Sequence, residues 1–270
     1  MQFSATVLAA CVILAMPAVA SAQFQPARDP AIGEKYHIEG AVALWNAEPS
    51  LIISSESLGI PGDTIDLVSD LGIQKKQIRE LRLVLRPGTK HKFRFSYLPV
   101  AYDASSRVQR EFVFNGQRFR VGIPVNTTAK LPTYRFGYEY DFIYRDRGYL
   151  GALVDVKYTD VEVTLDSPIG SEFTAQVAAI PTIGVVGRGY ILKNLSITGE
   201  VSFFKVPDDL REQVGGGGRY LDYDFYGTFN VTHNAGVQAG FRSVDVEYSS
   251  DLDAGRLKFT GLYVGGALRF

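Results

Sequence analysis

Thiols are almost missing from this chain: its 270 residues contain one cysteine, Cys11, close to the N-terminus. A disulfide scaffold, a thiolate metal centre and a cysteine nucleophile are therefore excluded for everything that follows it. Histidine is scarce as well, limited to His37, His91 and His233. Neither sign of charge dominates, with 28 Lys+Arg against 29 Asp+Glu, so there is no electrostatic case for a nucleic-acid partner. Long apolar runs are absent too, and nothing approaches the ~20 residues of a membrane-spanning helix. The apolar stretch Val7 to Met16 is too short for that, and Pro17 and the small residues Ala20-Ser21-Ala22 follow it. It reads as a secretory signal peptide over residues 1–22, cut after Ala22, although no Lys or Arg precedes its apolar run. A competing reading makes Leu8-Ala9-Ala10-Cys11 a lipoprotein site with Cys11 acylated, but little apolar sequence precedes it. No phosphate-cradling loop, zinc spacing or dinucleotide fingerprint appears, so no cofactor and no metal site is implied.

What the chain has instead is alternation. Phe270, Leu268, Gly266, Val264 and Leu262 share one face of the final stretch, and Arg269, Ala267, Gly265, Tyr263 and Gly261 share the other. The same period of two recurs along the chain. It predicts strands over about 36–46, 78–86, 90–102, 132–142, 150–165, 174–187, 192–206, 219–232, 234–248 and 257–270. The fourth sets Tyr134, Phe136, Tyr138, Tyr140 and Phe142 against Arg135, Gly137, Glu139 and Asp141, an aromatic row that a soluble protein would have to cover. In the fifth, Ala152, Val154, Val156 and Tyr158 point outward, and beyond Thr159 the polarity swaps, which marks the exit from an apolar layer. Pro181 falls in the middle of the sixth; a proline there removes a ladder donor and implies a bulge or an edge.

Connections alternate between tight ones near Pro87, Arg145, Gly189 and His233 and longer ones starting near Ala47, Asp103, Asp166, Pro207 and Ser249. Within the first long one, Asp63 to Gly72 reads as a short helix, with Asp63 or Thr64 as its cap, lying on the rim of the strand assembly or folded into its mouth. Within the second, Asn115-Gly116 among Phe112, Phe114 and Phe119 predicts a small projecting hairpin.

Ten strands, this loop rhythm and a chain that stops on phenylalanine resemble the small outer-membrane β-barrels of Gram-negative bacteria, the OmpA and opacity-protein class. The resemblance covers about Tyr36 to Phe270. It implies an all-β, up-and-down antiparallel transmembrane barrel over residues 36–270 after a periplasmic lead-in over 23–35. It also implies outer-membrane lipid as partner, and makes Leu262, Val264, Gly266, Leu268 and Phe270 an insertion signal for the barrel assembly machinery. A soluble β-sandwich is the rival fold.

The inward positions then collect opposite charges: Arg82, Arg94, Arg135, Lys157, Arg188 and Arg242 against Glu39, Glu80, Glu139, Asp155, Glu200, Asp222 and Asp224, with Arg86, Lys92, Asp141 and Arg269 beside them. In a ten-stranded barrel these are expected to fill the lumen as a salt-bridged network, leaving a protein that acts structurally or through its loops. A narrow, porin-like passage for a small solute or ion is the alternative. The third reading is a lipid or peptide hydrolase; it suffers because all three histidines fall at one end, away from plausible partners. Asp222 and Asp224 read as arginine partners rather than a cation site. The run Asp245, Glu247, Asp251 and Asp253 lacks the ordered spacing of a calcium loop. Trp45, Tyr134, Tyr158 and Phe203, with Phe93, Phe142, Phe229 and Phe270 at the other end, are expected to form two interfacial girdles.

Overall fold

The structure, a computed structural model, describes residues 31–270 apart from Leu58, Ile169, Val214, Asp251 and Leu252. The expected signal peptide, Cys11 and the first part of the lead-in lie outside the described residues. Ten strands close into one antiparallel barrel. They are β1 (Ile38–Ser55), β2 (Lys76–Gly88), β3 (His91–Arg107), β4 (Pro124–Arg145), β5 (Gly148–Ser167), β6 (Gly170–Leu192), β7 (Leu195–Lys205), β8 (Gly216–Asn230), β9 (Ala235–Ser250) and β10 (Asp253–Arg269). Each pairs with its sequence neighbours, and β10 returns to β1 with Glu39 opposite Arg269 and Ser55 opposite Asp253. The ring leaves no free edge along that seam, which is how an all-β chain can present apolar side chains outward without exposing backbone donors.

One end, here called basal, carries residues 31–37 and Phe270; the other is distal. Alternation runs through most of each strand, interrupted by register shifts such as those at Leu85–Gly88 in β2 and Tyr140–Ile143 in β4, and its chemistry inverts partway up. In β5 the inward residues are Asp155 and Lys157 low down and Val161, Val163 and Leu165 higher, while outward Val154, Val156 and Tyr158 give way to Asp160 and Glu162. The strand therefore runs straight through the swap, and the outward apolar stretch forms a belt around the basal half. Leu81, Phe93, Phe136, Leu150, Val154, Ile183, Ile197, Phe225, Val237, Leu262 and Val264 are among its exposed members.

Several expected strands were too short. β1 continues past Asn46 to Ser55 and β4 begins at Pro124, because Leu51, Ile53, Val125 and Ala129 point into an apolar distal lumen. The connections near Asp166 and Ser249 are tight turns rather than long loops, since β5, β6, β9 and β10 extend into them. The expected helix at 63–72 is absent. Ile65 and Asp66 pair with β1, and a single hydrogen-bonded turn follows, with Asp70 N donating to Asp66 O at 2.8 Å and Gly72 at φ +75° stopping it. Propensity is overruled there by Ile65, Leu67, Leu71 and Ile73, which are all buried beneath the distal rim.

The Asn115-Gly116 hairpin does form, pairing Phe112 with Phe119 through left-handed turn residues at φ 47° and 79°. It folds inward instead of projecting. Its three phenylalanines are buried, and Asp63 N donates to Val113 O. Together these two loops form an apolar plug over the distal lumen.

β7 is the short stave. Its pairing to β6 stops at Phe203 opposite Ile183, although β6 continues distally to Gly170. Pro181 lies just beyond that last pair, so the proline marks an edge, one of the two outcomes its lack of an N–H allows. On the other side β6 pairs without a break to β5, with Val156 opposite Pro181.

Candidate functional site

The lumen has two storeys. In the basal one, nine cations (Arg82, Arg86, Lys92, Arg94, Arg135, Lys157, Arg188, Arg242, Arg269) meet nine carboxylates (Glu34, Glu39, Glu80, Glu139, Asp141, Asp155, Glu200, Asp222, Asp224). Glu200 receives Arg94 and Arg135, each at 2.6 Å, and these two guanidinium groups reach on to Glu139 at 2.9 Å and Asp155 at 2.7 Å. Across the lumen Arg242 joins Glu80 at 2.7 Å to Asp222 at 2.8 Å, and Arg82 spans Glu80 and Asp224. Inward tyrosines carry cations on their faces: Lys92 Nζ lies 3.3 Å from the Tyr149 centroid and Lys157 Nζ 4.5 Å from that of Tyr220. Charges this deep tolerate burial only when paired, and the mesh draws opposite charges from every stave.

All thirteen residues expected in the lumen network point inward, and each takes part in this mesh. Asp222 and Asp224 bond to Arg242 and Arg82, and among the described residues no cluster of three or more potential metal ligands occurs. One partner was missed. Glu34 from the lead-in turns into the basal mouth, taking Arg86 at 3.5 Å, Arg188 at 3.6 Å and the Tyr190 hydroxyl at 3.1 Å. Its only signal was its distance from any strand pattern, which gave it no direction. The residual void within the mesh measures about 30 Å³, the room of roughly one water.

Trp45 belongs to the lumen and not to a girdle. It is 1% exposed, donates from Nε1 to Gly261 O at 3.1 Å, and lies with its ring 5.6 Å from the Arg242 guanidinium carbon. β1 alternation already put it on the inward face with Glu39 and Ala43. Tyr134, Tyr158, Phe203, Phe93, Phe142, Phe229 and Phe270 are exposed on the outside. Leu262, Val264, Leu268 and Phe270 of the expected insertion signal also face outward along β10.

The distal storey is apolar. Above the charge mesh lies a cavity of about 680 Å³, with walls that include Leu98, Val161, Ile180, Tyr220, Val244 and Phe259. Its floor is made by Arg135, Lys157 and Arg242, the top layer of the mesh. Lys157 Nζ donates to Thr182 Oγ1 at 2.9 Å and Ser202 Oγ at 2.7 Å and lies 3.5 Å from Asp155. This chamber was not expected from the sequence. The signal was present in the inward apolar run Val161, Val163 and Leu165, which read as the exit from the apolar layer into water.

Outside and above the belt, Arg256 donates to Asp245 from Nη2 at 2.8 Å and Nε at 3.2 Å, with Arg219 close by. Those hydrogen bonds hold the Asp245 carboxyl below its ordinary range. Arg110 is similarly bound to Asp70 in the plug. The three histidines are all basal and exposed: His37 Nδ1 lies 3.2 Å from Arg86 O and His91 Nδ1 2.6 Å from the Tyr138 hydroxyl, while His233 sits in the turn between β8 and β9.

No family model and no curated protein matches this sequence. Among solved structures, the outer membrane protease OmpT from Escherichia coli aligns over 90% of this chain and 99% of its own, with a TM-score of 0.58 at 10% identity. The Pseudomonas putida toluene transporter TodX covers 87% of this chain and 90% of its own at a TM-score of 0.38 and 7% identity. The attachment invasion locus protein Ail of Yersinia pestis covers 87% and 99% at 0.37 and 11%. The alignment to OmpT establishes the fold, a ten-stranded barrel of the outer-membrane type.

Proposed function

We propose that this chain is an integral protein of the bacterial outer membrane, sealed against ions and polar solutes, that acts through the distal half of its barrel. The observation that carries the reading is the pairing of an exposed apolar belt with a basal lumen closed by ion pairs. A water-soluble protein rarely leaves a contiguous apolar ring of this extent uncovered, whereas hydrocarbon covers it without further protein. The belt then sets the depth: aromatic residues at its borders meet the headgroups, and the basal end faces the periplasm.

A salt-bridged lumen with room for about one water favours a structural, non-conducting interior over a pore. The basal placement of His37, His91 and His233 argues against histidine-dependent hydrolysis at the cell surface. Insertion through the final strand by the assembly machinery, after removal of residues 1–22, completes the proposal. Membrane fractionation followed by gels of heated and unheated protein tests it. We expect the chain in the outer-membrane fraction with a heat-dependent shift in mobility, and recovery from the soluble periplasm overturns the reading. In planar bilayers the folded protein is expected to give no discrete conductance steps; regular steps reinstate the pore.

A further inference from the structure

Two features of the barrel wall meet at the distal cavity. The first is an opening: among the described residues, no strand pairs with β6 on its β7 side from Gly170 to Thr182. β7 ends at Lys205 and Pro207 follows two residues later, so prolines stand on both lips, Pro181 on one and Pro207 on the other, and both lack the N–H that would continue a ladder. Residues from both lips, Ala178 and Pro181 of β6, Phe204 of β7 and Pro207 beyond it, line the cavity, so the slot leads into it.

The second feature is an uncovered greasy strip beside that slot. On β5 the outward face turns polar at Asp160 and Glu162, above the belt. On the adjoining β6 it stays apolar, with Val177 and Phe173 59% and 62% exposed. The lower lip, Pro181, lies opposite Val156, one outward position below Tyr158, where the belt ends. The slot therefore opens at the belt's distal border, and its apolar lip continues the lipid-facing surface upward into the mouth of the cavity.

The chemistry of the chamber then selects the guest. Its walls offer dispersion and burial of apolar area. The three cations of its floor already lie within 3.5 Å of carboxylates, Arg135 with Asp155 and Glu200, Arg242 with Glu80 and Asp222, and Lys157 with Asp155. Arg219, the remaining lining cation, is held by Glu247 at 2.8 Å, so an added anion finds no unpaired cation there and its desolvation goes uncompensated. A chamber of this size falls within the ordinary range for small-molecule sites.

We propose that the distal cavity binds an uncharged lipophilic molecule, an acyl chain or hydrocarbon, which passes from the outer leaflet through the side slot between β6 and β7. The source of the guest rests on the outer-membrane reading; the site and its chemistry do not.

Trp45 supplies the reporter. It is the one tryptophan of the chain, and it lies against Arg242 of the cavity floor. Protein in phosphatidylcholine liposomes is titrated with bromododecane or with bromododecanoate, and quenching of Trp45 by the bromine is followed. Bromododecane is expected to quench saturably, with the carboxylate needing at least about tenfold more, because its charge is desolvated without a partner. Ala178→Phe fills the lip and is expected to abolish the quenching. Ala152→Phe, on the outward face of the belt, leaves it intact. Val244→Phe, from another strand of the cavity wall, serves as a second blocked form should the first fail the heat-shift test for folding. Undiminished quenching in the blocked forms, or equal potency of the carboxylate, overturns the site. If the chain does not float with liposomes, the membrane reading falls, and the same titration in detergent micelles decides the cavity alone.

Discussion

Glu200→Gln is the change that most directly tests whether the basal lumen is a dry, paired mesh. The substitution keeps volume and shape, so it creates no cavity and removes only the charge shared by Arg94 and Arg135, each 2.6 Å away. Breaking a buried ion pair on one side costs about 3–5 kcal/mol, because the surviving charge stays desolvated. Arg94 keeps Glu139 at 2.9 Å and Arg135 keeps Asp155 at 2.7 Å, which places the expected loss near the lower end, about 3 kcal/mol. Urea titration of folding into liposomes, read by heat-dependent gel mobility, measures it. Removing both members of one pair, in Arg135→Leu with Glu200→Leu, restores neutrality and leaves Asp155 to Lys157. The double variant is therefore expected to recover about 2 kcal/mol relative to the sum of the singles. Lys76→Ala is the internal contrast: it breaks an exposed 3.5 Å pair with Asp103 and is expected to cost about 0.5 kcal/mol or less. A Glu200→Gln loss no larger than that of Lys76→Ala would refute the argument and mean that water screens the lumen.

Three further outcomes follow from the same geometry. Val154→Arg, at an exposed belt position beside lipid, is expected to cost about 2–4 kcal/mol of folding in bilayers, whereas Asp160→Arg, above the belt on the same face, stays within roughly 1 kcal/mol by the same folding assay. Phe114→Ala, in the fully buried tip of the inward hairpin, is expected to loosen the plug and make residues 108–123 cleavable by protease while the barrel keeps its heat shift. The Asp245 carboxyl is held below its ordinary range by Arg256, so its contribution is present above the unfolded value near pH 4 and is lost as pH falls through the lower folded value. Asp245→Asn is expected to flatten stability against pH in that acidic window alone, and an unchanged slope there would show that the pair contributes nothing.

Strand identity and sidedness were legible because the period of two is a strong local signal, and the charged residues Arg82, Glu139, Asp155 and Arg242 fell on its inward phase. The basal site was readable for that reason. What misled was the assumption that a lumen is polar throughout. At Thr159 the pattern kept its phase and changed its chemistry, and reading chemistry instead of phase shortened β1 and β4 and hid the cavity. Ile65 and Phe114 were assigned to the long connections, Ile65 to a helix that does not form, and their inward folding depends on an apolar chamber built by distant strands. Trp45 shows the converse: its phase alone put it inside, and only a preference for tryptophan at interfaces drew it out. Pro181 was flagged as an edge or bulge from one residue's missing donor; which of the two it was depended on the length of β7, a property of another strand.

The seam where β10 meets β1 joins residues about two hundred or more positions apart, as in Ser55 with Asp253 and Glu39 with Arg269. Such a contact is expected to form after the intervening staves, since loop-closure entropy is lost before the pairing returns anything. Glu34 then enters a basal mouth whose cations, Arg86 and Arg188, come from the second and sixth staves. The lead-in is therefore expected to act as a latch on a finished cylinder, docking last and slowing unfolding more than it speeds the folding that precedes it.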